Sequence, residues 1–281
     1  MRAFQVALTL CLAPVPLAHA GADYVVIPGG VADAAGKVGY LSMPKGGVVA
    51  VDLTKGEVLW ESKDANRVLA ISGKRLATLA PLPLAPDKVK ALRVLVIDLA
   101  DKGKKLVASE PIILPDWAVI GLAVDRHEMG KGFTARARME KDKLAVYWSV
   151  SSRYWGGARP TEEIIRAASK DASGVALIDL ESGKIEAKTS DKPGGLPMTA
   201  GLVEIGKLPK DAQEIAKREG WQACATLEGR AFGKIQRTAD GKKGFVFGGV
   251  QVHWIQALDL ATNALVWERP YEEQRIIPPP P

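Results

Sequence analysis

The sequence of 281 residues is poor in the side chains that bind metals or form disulfides, because it has two cysteines and three histidines. Cys11 lies near the start of the chain and Cys224 near its end, and no Cys-x-x-Cys pair is present. His127 and His253 are isolated from each other in the chain, so we expect a loop residue and a partly buried residue rather than metal ligands. The sequence therefore predicts no metal site, and it singles out no catalytic residue.

Long apolar runs are also missing. The longest, from Val6 to Leu17, is interrupted by Pro14 and Pro16 and is shorter than the roughly 20 residues that a membrane-spanning helix needs. Arg2 precedes it, and an Ala-His-Ala cleavage pattern at 18–20 follows it, which predicts a secretory signal peptide over residues 1–20. An uncleaved membrane anchor is the alternative. We expect the mature chain to be periplasmic or secreted, with no transmembrane segment after cleavage.

The formal net charge of +6 is spread along the chain. The sequence lacks the basic stripe interleaved with aromatic residues that single-stranded nucleic acids require, so a nucleic-acid partner is not expected. Solvated hairpin ends, with some affinity for anionic polymers, account for the charge better.

A four-fold internal repeat dominates the chain. Its copies are VVAVDLTKGEVLWES at 48–62, VLVIDLADKGKKLVAS at 94–109, VALIDLESGKIEAKT at 175–189 and IQALDLATNALVWER at 255–269. They share an Asp-Leu pair whose aspartates are Asp52, Asp98, Asp179 and Asp259. Repeats of this kind are typical of arrays of one supersecondary unit.

Each copy predicts a β-hairpin. An apolar strand ends at Asp-Leu, and the Asp can accept hydrogen bonds from backbone N–H groups of the turn. The turn holds a residue expected to have positive φ, which is Gly56, Gly103, Gly183 or Asn263. Strand-like runs with a turn of their own precede three copies, at 67–79, 136–150 and 234–248, with turns at 140–142 and 240–242. Four antiparallel strands per unit are typical of propeller blades.

The predicted fold class is therefore all-β, a β-propeller of about four to five four-stranded blades over residues 21–274. Two short helices are expected as insertions near 160–170 and 209–221, because each segment opens with Pro and acidic residues. Up to six blades, or an incomplete ring that pairs with another subunit, are open alternatives. Residues 275–281 form a proline-rich tail.

The hairpins resemble the PQQ-like β-propeller repeat, most closely at 50–60 and 257–267, where the copies end in Trp60 and Trp267. The resemblance implies that these tryptophans dock one blade on the next. The other two copies have Ala108 and Ala187 near that position. Dehydrogenases of this family hold a quinone and calcium between a tryptophan and an adjacent-cysteine disulfide, which one mature cysteine cannot form. The resemblance therefore favours the non-enzymatic envelope scaffolds, without a cofactor.

A cluster of aromatic residues before the first predicted helix is the one candidate ligand site. Arg153, Tyr154 and Trp155, beside two glycines, could line a rim pocket for a sugar or a peptide. For the preceding strand, simple alternation is favoured: Trp148 and Val150 pack between blades, and Tyr147 lies on the opposite face.

These observations predict an exported, non-enzymatic β-propeller that binds a protein or polymer partner in the cell envelope. An oligomer is compatible with them. The alternative is an enzyme with a site in the central channel or at the rim, either a hydrolase or a divergent quinoprotein oxidoreductase. Converging acids in a pocket would indicate the enzyme, and an exposed apolar patch would indicate the scaffold.

Overall fold

The computed structural model describes residues 23–85, 88–115, 117, 120–121, 130–153, 161–188, 202–238 and 251–272. The predicted signal peptide, the proline-rich tail, His127, Tyr154 and Trp155 lie outside these ranges.

Strands account for most of the described chain, and each sheet follows the order of the sequence. The first sheet contains β1 Tyr24–Ile27, β2 Gly30–Asp33, β3 Val38–Ser42, β4 Val48–Asp52 and β5 Val58–Ser62. The second contains β6 Arg67–Ser72, β7 Arg75–Ala85, β8 Lys88–Asp98 and β9 Lys104–Ala108, with β10 Ile112–Ile113 and β11 Ile120–Gly121 added to β8. The third contains β12 Gly130–Glu140, β13 Lys143–Arg153, β14 Lys170–Asp179 and β15 Ile185–Lys188. The fourth contains β16 Ala223–Leu227, β17 Arg230–Thr238, β18 Gln251–Asp259 and β19 Ala264–Tyr271.

The predicted all-β fold class is confirmed. Within the described residues the four antiparallel sheets are four propeller-type blades, called blades 1 to 4 in chain order. Both predicted helices form inside their predicted segments, as α1 Glu162–Ala168 and α2 Lys210–Glu219. A short 3-10 helix, Ile205–Lys207, precedes α2.

The inner half of blade 4 differs from the sequence prediction. The predicted turn at 240–242 lies outside the described residues, and the turn that joins the first two strands is at Glu228 and Gly229 instead. Both of these residues have positive φ, of 46° and 72°. The inner strands are therefore β16 and β17, which precede the predicted pair along the chain.

The repeat hairpins form as predicted, and all four turn residues have positive φ: Gly56, Gly103, Gly183 and Asn263. Each repeat aspartate caps its turn through Oδ1. Asp52 accepts from the N–H of Thr54 and Lys55, and Asp179 and Asp259 accept from the corresponding two residues of their own turns. Asp98 accepts from the N–H of Ala100. The conserved geometry follows from this local hydrogen bonding, because a carboxylate can satisfy two turn N–H groups at once.

The blades pack in the order 4–1–2–3. One apolar cluster joins blade 4 to blade 1, a second joins blade 1 to blade 2, and a third joins blade 2 to blade 3. Among the described residues, no apolar cluster joins blade 3 to blade 4. This part of the chain therefore forms an arc with two end faces.

At each junction the hairpin turn of one blade lies on the outer strand of the preceding blade. A Cβ added to Gly56 would lie 2.5 Å from the ring of Trp267, and one added to Gly103 would lie 2.5 Å from the ring of Trp60. Trp267 also donates through Nε1 to the carbonyl of Leu53, at 2.9 Å. Glycine is required at these two turns because the aromatic ring occupies the space of a side chain.

The residue that replaces tryptophan in blade 2 is Val107, not Ala108. Strand pairing sets Val107 opposite Val96, as Trp60 is set opposite Ala50. The turn of blade 2 has one more residue than that of blade 1, which moves the position by one. Gly183 of blade 3 contacts Val107 accordingly.

The outer strands of three blades carry the same bulge. The pairing of β5, β9 and β19 with their neighbours shifts by one residue, which leaves Leu59, Leu106 and Val266 as the extra residues. They are 48%, 46% and 44% exposed, so the bulge turns each of these apolar side chains outward. Blade 3 has no such shift between β14 and β15.

The two end faces of the arc differ in chemistry. On blade 4 the end face is apolar, and α2 covers it together with Trp221. On blade 3 it is polar, with Arg138 and Tyr147 both bonded to Glu140, and Lys143 paired with Glu186. A helix therefore occupies the place of a neighbouring blade on blade 4.

Candidate functional site

Differences in strand length create a depression above blade 1. The strand that ends at the repeat aspartate is β4, β8, β14 or β18, so any extra length of this strand extends toward the opposite edge of the blade. Here β4 has 5 residues, whereas β8 has 11, β14 has 10 and β18 has 9. At about 3.3 Å per residue, the neighbouring blades 2 and 4 extend roughly 13–20 Å beyond blade 1. We call this depression the blade 1 notch.

The notch contains a cavity of about 610 Å³, which is within the usual range for ligand sites. Its floor is the turn between β3 and β4, at residues 43–47, together with the connection 63–66 that leads to blade 2. Two backbone hydrogen bonds between Met43 and the glycines of the turn, both of 3.0 Å, hold the floor in place.

The walls of the notch come from the two taller blades. Ala80 and Arg93 line it from blade 2, and Val252, Trp254 and Pro270 line it from blade 4. Because these residues belong to sheet strands rather than to a loop, the walls are part of the fold itself.

An ion pair between a buried arginine and an exposed glutamate braces blade 4 beside Trp254. Arg237, which is 8% exposed, donates two hydrogen bonds of 2.6 Å to the carboxylate of Glu268. The guanidinium of Arg237 also lies over the ring of Trp254, 5.0 Å from its centroid. A bidentate pair and a cation–π contact together fix the orientation of the Trp254 ring.

Cations outnumber acids around the notch. The basic residues are Lys45, Lys63, Arg93 and Arg269, and the acidic residues are Glu61 and Asp64. The remaining lining is mostly apolar, with Met43, Val49 and Val252 as its larger aliphatic side chains. Such a surface suits a ligand that combines negative charge with apolar bulk.

Two nitrogen atoms of the lining residues are shielded from solvent. Nε of Arg93 and Nε1 of Trp254 have no acceptor among the described residues, and Trp254 packs against the cluster that α2 covers. A ligand in the cavity therefore does not meet these two nitrogens.

The sequence-predicted site residues do not meet in one place. Arg153 ends β13 at the upper end of blade 3, and its neighbours Tyr154 and Trp155 lie outside the described residues. Trp148 and Val150 are buried between blades 2 and 3, and Tyr147 lies on the opposite face, so the alternation predicted for this strand is confirmed.

The four repeat aspartates lie at four separate turns, on the edge opposite the notch. Backbone N–H groups of their own turns hold the pKa values of Asp52, Asp179 and Asp259 below the ordinary range. Each of these carboxylates therefore stabilises its own turn by accepting hydrogen bonds from it.

The notch was missed in the sequence because no single motif marks it. Its signal is the position of MPKGG at 43–47, immediately before the strand VVAVD at 48–52, whereas no Gly-Gly turn stands at this place before the other three aspartates. The turn is informative only when strand lengths are compared between neighbouring blades.

A second, smaller cavity of about 230 Å³ lies among the inner strands. Arg67, Arg136 and Arg138 line it, with Glu272. Arg138 is already bonded to Glu140 and Tyr147, at 2.6 and 2.9 Å. The notch is the better candidate because its cavity is the larger of the two, at about 610 Å³ against about 230 Å³.

Other candidate chemistry is limited. Among the described residues, no group of three or more His, Cys, Asp or Glu side chains could hold a metal ion. His253 is half-buried, stacks on Tyr271 at 5.6 Å and hydrogen-bonds Gln236. In the same part of the chain, no helix has the length and apolar character needed to cross a membrane.

No protein-family model matches this chain, and no curated protein matches it. Solved structures show only distant similarity. A europium-containing methanol dehydrogenase is 11% identical, with a TM-score of 0.23, over 86% of this chain and 68% of the enzyme. The dihydro-heme d1 dehydrogenase NirN, solved with DHE, is 12% identical, with a TM-score of 0.25, over 87% of this chain and 46% of that one. A D477G ACO/RPE65 chimera is 11% identical, with a TM-score of 0.29, over 87% and 59%. Similarity this weak carries no conclusion about this chain.

Proposed function

We propose that this chain is an exported, non-enzymatic binding protein of the PQQ-like propeller type, whose partner in the cell envelope is a protein or a polymer. The observation that carries the proposal is the blade 1 notch, a preformed cavity of about 610 Å³ with apolar walls and a cationic rim. Rigid, concave sites of this kind are the usual places for ligands on β-scaffolds.

The position of the notch supports binding to a large partner. It is at the edge of the arc, and its floor residues Lys45 and Lys63 are exposed, so a segment of a large molecule can enter from outside. Exposed apolar residues on the outer strands, such as Leu59 and Val266, offer additional contact area beside it.

Site-specific cross-linking tests this proposal. A photoreactive amino acid replaces Lys45 at the notch or, as the control, Lys104, which starts β9 and is equally exposed. We expect one adduct of defined mass from position 45 in cells and none of that mass from position 104. Adding Lys63→Glu should reduce the adduct at least about tenfold, since it reverses a charge of the floor.

Equal labelling from positions 45 and 104, or an adduct that Lys63→Glu leaves unchanged, would show that the notch does not bind the partner. The purified partner, added to the purified chain, should reproduce the adduct of position 45.

A further inference from the structure

The lining of the blade 1 notch combines apolar with charged residues. Its apolar residues that are half-buried or exposed are Met43, Pro44, Val252 and Pro270. Its exposed charged residues are Lys45, Glu61, Lys63 and Asp64, and Arg93 and Arg269 are half-buried. Apolar and charged contacts are thus available to one ligand, which is the combination that an amphiphile matches.

The backbone around the notch is engaged within the protein. In the floor, Met43 and the glycines of the turn bond to each other. In the walls, β18 pairs with β17 and β19, and β8 pairs with β7, β9 and β10. A peptide that entered the notch would leave most of its own N–H and C=O groups without partners, which is costly. A hydrocarbon chain has no such groups, so these walls suit it better.

The depth of the notch matches the length of an acyl chain. Blades 2 and 4 extend roughly 13–20 Å beyond blade 1. The hydrocarbon layer of a bilayer is about 30 Å thick and holds two chains end to end, so one chain spans about 15 Å. The cavity of about 610 Å³ is within the range of sites for ligands of this size.

Met43 provides an adaptable apolar contact in the floor. Its side chain lies over the turn, since a Cβ added to Gly47 would lie 2.5 Å from Cε of Met43. Methionine is flexible and polarizable, so it fits apolar ligands of different shapes. A hydrocarbon chain over Met43 would remove apolar surface from water, which favours binding.

The charge of the notch selects the head group of an amphiphile. Four cations, Lys45, Lys63, Arg93 and Arg269, stand against two acids, Glu61 and Asp64. The segment 239–250, which leads to β18 in the chain, contains two lysines and one aspartate, so it does not reverse this excess. A surplus of positive charge favours a negative head group over a positive one.

We propose that the notch binds an acyl chain of an anionic amphiphile of the cell envelope, with the chain along the apolar lining and the negative head group at the cations. This inference rests on the proposed function, because it names the part of the partner that enters the notch. The partner is then an acylated molecule with negative charge beside its acyl chain.

Calorimetric titration of the full mature chain tests the proposal with three amphiphiles, each below the concentration at which it forms micelles. Dodecanoate is the probe, octanoate shortens its chain by four methylenes, and dodecyltrimethylammonium keeps the chain and reverses the charge. We expect dodecanoate to bind at least about tenfold more tightly than octanoate, since each covered methylene favours binding. It should bind at least about fivefold more tightly than dodecyltrimethylammonium.

A double charge reversal tests the position of the head group. Lys45→Glu with Lys63→Glu should abolish or invert the preference for dodecanoate over dodecyltrimethylammonium, because it leaves the notch with more acids than cations. Lys104→Glu with Lys105→Glu is the matched control. It changes the net charge equally, at exposed residues of β9, and should leave the preference unchanged.

Met43→Gln tests the position of the chain, because it keeps the length of the side chain and adds a polar amide. It should weaken dodecanoate binding about three- to tenfold. Leu59→Gln is the control for adsorption to exposed apolar surface, since Leu59 lies exposed on the outer strand of blade 1. This variant should leave the affinity unchanged.

Equal affinities for dodecanoate and octanoate, a preference for dodecyltrimethylammonium, or binding of none of the three would overturn the acyl chemistry. The proposed function would survive that result if position 45 still formed its cross-link in cells, and loss of the cross-link as well would overturn both. An equal loss of affinity in Leu59→Gln and Met43→Gln, or no change in any variant, would assign the chain to another surface and would also refute the inference.

Discussion

The three blade junctions and the end face of blade 4 both bury the apolar face of a sheet. At the junctions a neighbouring blade covers that face, and on blade 4 helix α2 covers it. At the junctions, Gly56, Gly103 and Gly183 each lie against the outer strand of the preceding blade. Blade 4 has Asn263 at this turn position, with the same left-handed backbone and φ of 56°. The backbone conformation therefore does not by itself demand glycine. Glycine is required where the turn contacts a neighbouring blade, because that blade occupies the space of a side chain.

Helix α2 covers the end face of blade 4 in the way that a neighbouring blade covers the face of blade 1 or blade 2. Trp221, directly after the helix, packs over Gly233 so closely that a Cβ there would lie 1.9 Å from its ring. Trp221 also donates through Nε1 to Gln256, at 2.7 Å. A tryptophan over a glycine thus seals this face, as Trp60 over Gly103 seals the junction of blades 1 and 2.

The largest effect is expected at this helical seal. Trp221→Ala should lower the free energy of unfolding by about 4 kcal/mol, since it removes a large buried side chain. The thiol of Cys224 lies beneath this cluster, and burial raises its pKa to about 11, so it should react slowly with iodoacetamide in the native chain. Denaturant unfolding measures the loss of stability. The rate at which Cys224 reacts measures the exposure of its thiol, which should increase in Trp221→Ala.

Trp221→Phe is the milder variant, because it keeps an aromatic ring and loses the hydrogen bond to Gln256 together with a small part of the buried volume. It should cost about 1 kcal/mol and leave Cys224 protected. If Trp221→Ala neither destabilises the chain nor exposes the thiol, α2 does not act as a substitute blade.

A smaller effect is expected at the turns. Gly103→Ala should cost about 3 kcal/mol, from left-handed strain and from the clash with Trp60. Gly73→Ala also has positive φ, of 55°, but would meet no atom within 4 Å, so it should cost about 1 kcal/mol. Urea unfolding of both variants gives the difference.

Asn263→Ala extends the same series to the turn of blade 4 and should cost less than Gly73→Ala, because Asn263 already has a Cβ in this left-handed conformation. Equal costs at Gly103 and Gly73 would show that backbone strain, rather than blade contact, accounts for the glycines.

The smallest effect concerns the feature that all four blades share. Turn N–H groups lower the pKa values of Asp52, Asp179 and Asp259 from the ordinary value of 3.8. Their stabilisation is complete above that value and is lost as the pH falls through the lowered values of the folded state. Stability should therefore decline in acid between about pH 4 and pH 2.

Replacing these three aspartates with asparagine keeps an acceptor oxygen in each turn and removes the titration. In urea unfolding across this pH range, the triple variant should show a flatter acid dependence than the unaltered chain. An identical acid slope in both proteins would mean that other carboxylates cause the decline.

The hairpins were predictable because their determinants are local. Asp52 and its turn are close in sequence, and the alternation of Trp148 and Tyr147 follows from the period of a strand. The position of Val107 could not be predicted, because one additional residue in the turn of blade 2 shifts the strand pairing by one residue. Sequence alignment alone does not register such a shift.

The site and the end of the arc depend on distant contacts. Nothing near Trp221 in the sequence shows that it packs over Gly233 in place of a blade. Likewise, the notch follows from the short β4 lying between longer neighbours, and its lining residues come from three separate repeats. The candidate residues Tyr154 and Trp155 lie outside the described residues, so their role stays a prediction.

The bulges of the outer strands bear on how the chain avoids self-association. A straight, unpaired edge strand is a template on which another chain can add, and a bulge twists such an edge away from a regular partner. The outer strands β5, β9 and β19 have this interruption, whereas β15 pairs in regular register over its described length. The bulge is thus a geometric device against edge-to-edge growth on three blades, and β15 is the described outer strand that lacks it.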